Sequence, residues 1–262
     1  MLLLGKFLIY ALIILIVSVN NAFAEDNPCT ASPPVITLSD RGGNADSPCI
    51  IPVKTAFLEG GYLYQNLIPS GQLQTYPQGE FRIGLPAHSE IGLFLPNYNT
   101  PFSGYGPFGF DIKHQFGAGK NWIFSTQTTF ILPGGSSVFG SKGLGASMAG
   151  IMTYNLNDQW SLTGMLQIGS FTEPTIIGGE RYISFTPDLV LSYSPIERLT
   201  LYGEVYSLSP VGPNQGDVTL VDYGLLYMLV PQFAIDVGVY HQLGNNPNQF
   251  KNAFGGGFTL VL

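Results

Sequence analysis

Ten charged side chains are the residues of this sequence best placed to do chemistry: Glu59, Glu80, Arg82, Glu90, Asp111, Lys113, Asp188, Glu204, Asp222 and Asp236. Each falls in a short segment where apolar and polar residues alternate, and each takes the parity of the polar face. Eight carboxylates stand against two cations, so pairing alone cannot neutralise the set. Such a face either admits water and tolerates cations, or holds carboxyls that are protonated or bridged by tyrosine and serine hydroxyls. A wet lumen and a plugged, structural one both meet that demand. Arg82 and Glu90 flank one short turn and are spaced to pair across it. Asp188 and Glu204 lie symmetrically about Ile196, so a tight turn there is expected to set them opposite each other. With Asp222 and Asp236 they form an acidic wall lacking any cation of matching parity, and like charges across a sheet pair are destabilising.

Catalysis has little to work with. A lipid-facing hydrolase needs serine and histidine together, with an amide or carboxylate orienting the imidazole. His114 is followed by Gln115 and Phe116, His88 sits in a turn before Ser89, and His241 has no acid on its own face. The chain reads as a non-enzyme, with no catalytic residue and no cofactor. Cys29 and Cys49 have no histidine or third cysteine nearby, so the sequence points to a disulfide and to no metal site. Charge also argues against nucleic acid. The formal net charge is −7, and loss of Lys6 on export makes it −8, where a nucleic-acid partner wants a basic stripe.

The elements that must position these groups follow from the rest of the chain. Lys6, the apolar run Phe7 to Val19 and the Ala22-Phe23-Ala24 site spell a cleaved secretory signal peptide over 1–24, with Glu25 as the mature N-terminus. Charged residues make up only 10% of the chain, far below an ordinary soluble domain, and this combines with many aromatic residues. A membrane barrel explains the combination, because one face of every strand meets lipid.

Twelve alternating segments are predicted as strands: Thr55 to Leu67, Tyr76 to Leu85, Ser89 to Pro96, Phe108 to Gly117, Asn121 to Leu132, Gly145 to Asn155, Trp160 to Phe171, Tyr182 to Ser194, Leu199 to Leu208, Val218 to Leu229, Phe233 to Leu243 and Asn252 to Leu262. Short turns alternate with the long Gly/Pro/Asn loops Pro133 to Leu144, Thr172 to Arg181 and Ser209 to Asp217. That is how an outer-membrane barrel sits, turns to the periplasm and loops outside. Gly257, Leu260 and Leu262 resemble the C-terminal signal read by the barrel-assembly machinery. The expected organisation is a signal peptide over 1–24, a periplasmic segment with the Cys29–Cys49 pair over 25–54, outside the barrel proper, and an all-β, antiparallel transmembrane barrel over 55–262. Its expected place is the bacterial outer membrane, with outer-membrane lipid and a small-molecule solute as partners.

Several stretches resemble an outer-membrane family named for the meta-pathway of phenol degradation, whose members are labelled transporters. They are Ser39-Asp40-Arg41 through Ser47-Pro48, Phe57-Leu58-Glu59-Gly60-Gly61-Tyr62, Thr129 to Gly134, Arg198 to Glu204, Asp222 to Leu225 and Pro231 to Asp236. Gly42 departs from the proline common in the family after Asp-Arg. The resemblance implies an outer-membrane channel for small solutes, aromatic or hydrophobic compounds among them. The alternative is a structural or surface-interaction barrel with a plugged lumen.

Overall fold

The computed structural model describes residues 28–29, 35–247 and 249–262. The expected signal peptide and the mature N-terminus at Glu25 lie outside these residues. Within them the chain is a closed antiparallel β-barrel of 12 strands. The ladder runs in chain order, and β1 (Ala56–Leu67) closes on β15 (Phe250–Val261) through an antiparallel register from Phe57↔Val261 to Leu67↔Phe250. Closure leaves no sheet edge to meet lipid.

Three of the barrel strands are each broken once, at a proline. They are β2 (Gln72–Tyr76) with β3 (Glu80–Leu85), β4 (Ser89–Phe94) with β5 (Tyr98–Thr100), and β6 (Gly104–Tyr105) with β7 (Gly109–Gly119). Pro77, Pro96 and Pro107 fall in the three gaps. A proline donates no ladder hydrogen bond, so each gap is where the sequence withholds a donor. The second predicted strand begins at the first break, the third stops at the second, and the fourth begins just after Pro107. All three continue past them. The remaining strands are β8 (Trp122–Ile131), β9 (Gly145–Asn155), β10 (Trp160–Thr172), β11 (Arg181–Ile196), β12 (Leu199–Leu208), β13 (Val218–Val230) and β14 (Phe233–Leu243).

The alternation sorts the two faces. Leu166, Ile168, Ile183, Leu189, Val237 and Val239 are exposed on the outer surface, where lipid replaces a protein core. Trp160 stacks on Tyr193 at 4.5 Å near the short turns, as an interfacial aromatic girdle does. Between β11 and β12 the register slips after Tyr193, so Asp188 opposes Tyr206 and Glu204 opposes Val190. The expected Asp188–Glu204 apposition is therefore wrong by two residues. The acids directly opposed are Glu204 and Asp222.

The segment before the barrel departs from its expected place outside the barrel proper. Residues 35–51 do not lie outside it; they run through its bore, starting with a single helical turn, α1 (Val35–Leu38). Val35, Ile36, Leu38, Cys49 and Ile51 are buried, and they pack with Phe57, Ile123, Val190, Tyr202, Leu226 and Ala234 from the wall. Apolar surface drives this segment inward as it would any core element. The Cys29–Cys49 disulfide is present and ties the inserted segment at Cys49, near its end. It closes a loop around the plug and leaves the strand ladder untouched.

Candidate functional site in the barrel bore

Nine of the ten sequence-selected charges are buried on the inner face: Glu59, Arg82, Glu90, Asp111, Lys113, Asp188, Glu204, Asp222 and Asp236. Glu80 is half-buried. They divide into two groups, and the inserted segment supplies what each lacks.

The first group surrounds Arg82, which is fully buried. Arg82 Nη2 lies 2.6 Å from Glu90 Oε1, the pairing expected across the short turn, and Nη1 lies 3.5 Å from Glu59 Oε1. Its Nη1 also donates to the Leu38 carbonyl of α1 at 2.8 Å. Asp40, just after α1, accepts from both cations: Arg82 Nη2 at 2.9 Å and Lys113 Nζ at 2.6 Å. The Asp40 amide in turn donates to Glu59, and the Ile51 amide donates to Glu90 at 2.8 Å. Ser39 bonds Thr259 at 2.7 Å, and Ser125 donates to the Pro48 carbonyl. Asp111 pairs with Gln127 and makes no ion pair among the described residues. Each end of the plug is thus fixed to the wall by charged hydrogen bonds, the strong kind in a low-dielectric interior.

The second group is the acidic wall. Arg41 forks onto Asp236, with Nε–Oδ2 and Nη2–Oδ1 both at 3.0 Å. The Asn44 and Ala45 amides donate to the two Glu204 oxygens at 2.8 Å each, and Asn44 Nδ2 donates to Asp188 Oδ2 at 2.8 Å. The turn that aims these two amides places Gly42 at φ 95 and Gly43 at φ 145, a region side chains disfavour. A Cβ on Gly43 would also stand 2.6 Å from Glu204 Oε2. Gly42, the departure from the family's proline, is therefore at home here. The matching cation absent from the strands is Arg41. It escaped the sequence reading because it belongs to an aperiodic stretch whose direction no pattern reveals.

Two cavities flank the plug tip. One, of about 480 Å³, reaches in from the short turns between the plug and β8–β13, past Ile36, Asp46, Thr153, Thr163, Ser192 and Tyr202. The other, of about 220 Å³, lies among Gln167, Phe171, Tyr182, Ser184, Thr186 and Leu208. Asn44 lines the second and Gly42 and Ala45 line the first, so the tip stands between them. The rest of the outer half of the bore, on the β12–β15 side, is filled by Tyr206, Val218, Leu220, Phe250 and Ala253.

The histidines need one correction. His114 does meet a serine: Ser89 Oγ lies 2.8 Å from His114 Nδ1, across the β4–β7 pair. No acid or amide is hydrogen-bonded to that imidazole among the described residues, so the triad pattern stays incomplete. No group of three or more His, Cys, Asp and Glu among the described residues is arranged to hold a metal ion.

Comparison with known proteins agrees with this architecture. Residues 50–260 match the model of a family described as "Putative MetA-pathway of phenol degradation". Among solved structures, an outer membrane channel from Pseudomonas putida F1 superposes with a TM-score of 0.67 at 11% identity, over 84% of this chain and 100% of that one. The NanC porin gives 0.55 at 10% identity, over 79% and 100%. The KdgM porin in complex with disordered oligogalacturonate gives 0.56 at 8% identity, over 78% and 98%. At such identities the likeness is one of fold. No curated protein matches the sequence.

Proposed function

Because this chain belongs to the MetA-pathway phenol-degradation family of outer-membrane proteins, we propose that it is an outer-membrane channel for small solutes whose path its own N-terminal segment closes. The observation that carries this is the pair of cavities on either side of the plug tip, which Asp188 and Glu204 hold through Asn44 and Ala45. Withdrawing the tip would join them into one passage along β8–β12. The inner cavity is lined by serine and threonine hydroxyls with apolar Ile123, Val190 and Leu226, which suits small solutes that mix polar and apolar surface. Family membership adds small aromatic compounds to that class. The wall acids Asp188, Glu204 and Asp222 disfavour anions. The dense network around Arg82 and Lys113 supports the rival reading, a closed barrel kept for structure.

Current across a planar bilayer separates the two. The channel reading expects discrete, cation-selective openings, with Asp188→Asn plus Glu204→Gln lowering the cation-to-anion permeability ratio. The same pair of changes also loosens the tip, so the open fraction should rise. Anion-selective openings, or silence in both proteins, would overturn the channel reading.

A further inference from the structure

At the acidic wall the plug offers donors and the strands offer acceptors, at every contact. The most complete of these contacts is a socket for a planar cation. Gly61, Gly257 and Asp236 are successive register partners on β1, β15 and β14. The Arg41 guanidinium lies over the two glycines, so closely that a Cβ on either would stand 2.4 Å from Nη2. Asp236 holds the same group edge-on through two parallel hydrogen bonds of 3.0 Å. Flat floor, bidentate carboxylate and little solvent are what a guanidinium needs and a round ammonium does not use.

Beside the socket the wall keeps hydrogen-bonding capacity that the plug leaves unused. The Tyr202 hydroxyl is buried without a hydrogen-bond partner among the described residues, and both Asp222 oxygens lack an N–H or hydroxyl donor there while facing the Glu204 carboxyl across the β12–β13 pair. Tyr202 is 6% exposed and Asp222 2%. The Tyr202 ring crosses Gly224 and Gly238, where Cβ atoms would stand 2.6 and 2.7 Å from its hydroxyl. Gly238 is two residues from Asp236 on β14, and Gly224 two from Asp222 on β13. The unpaired Tyr202 hydroxyl therefore stands beside the socket, with Asp222 farther along β13, four residues from Leu226, the register partner of Asp236, and leaving such groups buried is costly.

We propose that Asp236 with the Gly61–Gly257 floor is a binding site for small guanidinium compounds, those with a second nitrogen donor above all, and that Arg41 occupies it as a tethered stand-in. The second donor would reach the Tyr202 hydroxyl. The inference rests on solutes entering the bore, and so on the channel reading.

Calorimetric titration of the full-length protein in detergent with guanidinium chloride tests it, with tetramethylammonium chloride as a cation that has no donor. Arg41→Ala empties the socket. It should bind guanidinium saturably and at least about tenfold more tightly than the wild type or Arg41→Ala/Asp236→Asn, the worth of one charged hydrogen-bonded pair. Tetramethylammonium should show no saturable heat. Equal binding in the single and double variants, or equal binding of both cations, would overturn the site and leave a merely acidic wall. Should Arg41→Ala fail to fold, hydrogen exchange on the wild type gives the same answer. Guanidinium, and not tetramethylammonium, should speed exchange at residues 40–45 by displacing Arg41; identical effects would refute it. Calorimetry does not require conduction, so binding without current would sink the channel reading alone, and current without binding would sink this one alone.

Discussion

Arg82→Ala lowers the unfolding free energy of the barrel by about 3–5 kcal/mol, the cost of removing one partner from a buried ion network. Arg82 is fully buried and touches Asp40, Glu59 and Glu90. Its loss leaves those three carboxylates with Lys113 as the one cation in contact with any of them among the described residues. Unpaired charge in a dry site is costly, and the truncated side chain adds a void. Arg82→Lys keeps the charge and loses the fork, so it should fall between. Urea unfolding in lipid vesicles, followed by the mobility shift between folded and heated barrel, measures the difference. A change below about 1 kcal/mol would mean the cluster is hydrated and behaves as surface pairs do.

Deleting residues 35–51 in a Cys29→Ser background raises conductance at least about tenfold and leaves a folded barrel, because pore current is set by the narrowest constriction. The deletion removes Asn44 and Ala45 from between the two cavities, and Arg41 from Asp236. The strands keep their own ladder, since the wall meets the plug mostly through wall side chains. Water entering the bore then solvates the acids it leaves behind. Bilayer recordings of the two proteins give the ratio. Deletion should also strengthen cation selectivity, as Asp236 loses its counter-charge.

The barrel was legible because its cause is periodic. Strands such as Leu199–Leu208 place Leu201 and Val205 on lipid and Tyr202 and Glu204 inside, and a one-residue slip would reverse every one of them. Even the imbalance of the bore was legible, eight acids against two cations with a demand for some compensating partner. The partner itself was not. Asp40, Arg41 and Asn44 lie in a stretch with neither a two-residue nor a helical period, so no pattern says that it turns into the barrel. Glycines carried a faint signal: Gly61, Gly84 and Gly257 take inward positions where the plug's Arg41, or its Ile51 and Pro52 carbonyls, approach too closely for a Cβ. In a glycine-rich barrel that signal is hard to separate from composition. Register was the other limit. The irregularity after Tyr193 set Glu204 opposite Val190 and not Asp188, and the long excursion from Leu95 to Phe108 hid the meeting of Ser89 with His114.

The central claim is that the tip of the N-terminal segment, held by Asp188 and Glu204, closes the solute path. Asn44 Nδ2 and Asp188 Oδ2 are 2.8 Å apart, so cysteines at these positions can be joined by a short, cleavable thiol bridge in a background lacking Cys29 and Cys49. Single-channel recording before and after cleavage is the most direct measurement. The bridged protein should stay closed at every voltage, and cleavage should restore cation-selective openings. Equal currents from the bridged and cleaved protein would place the path elsewhere and contradict the account.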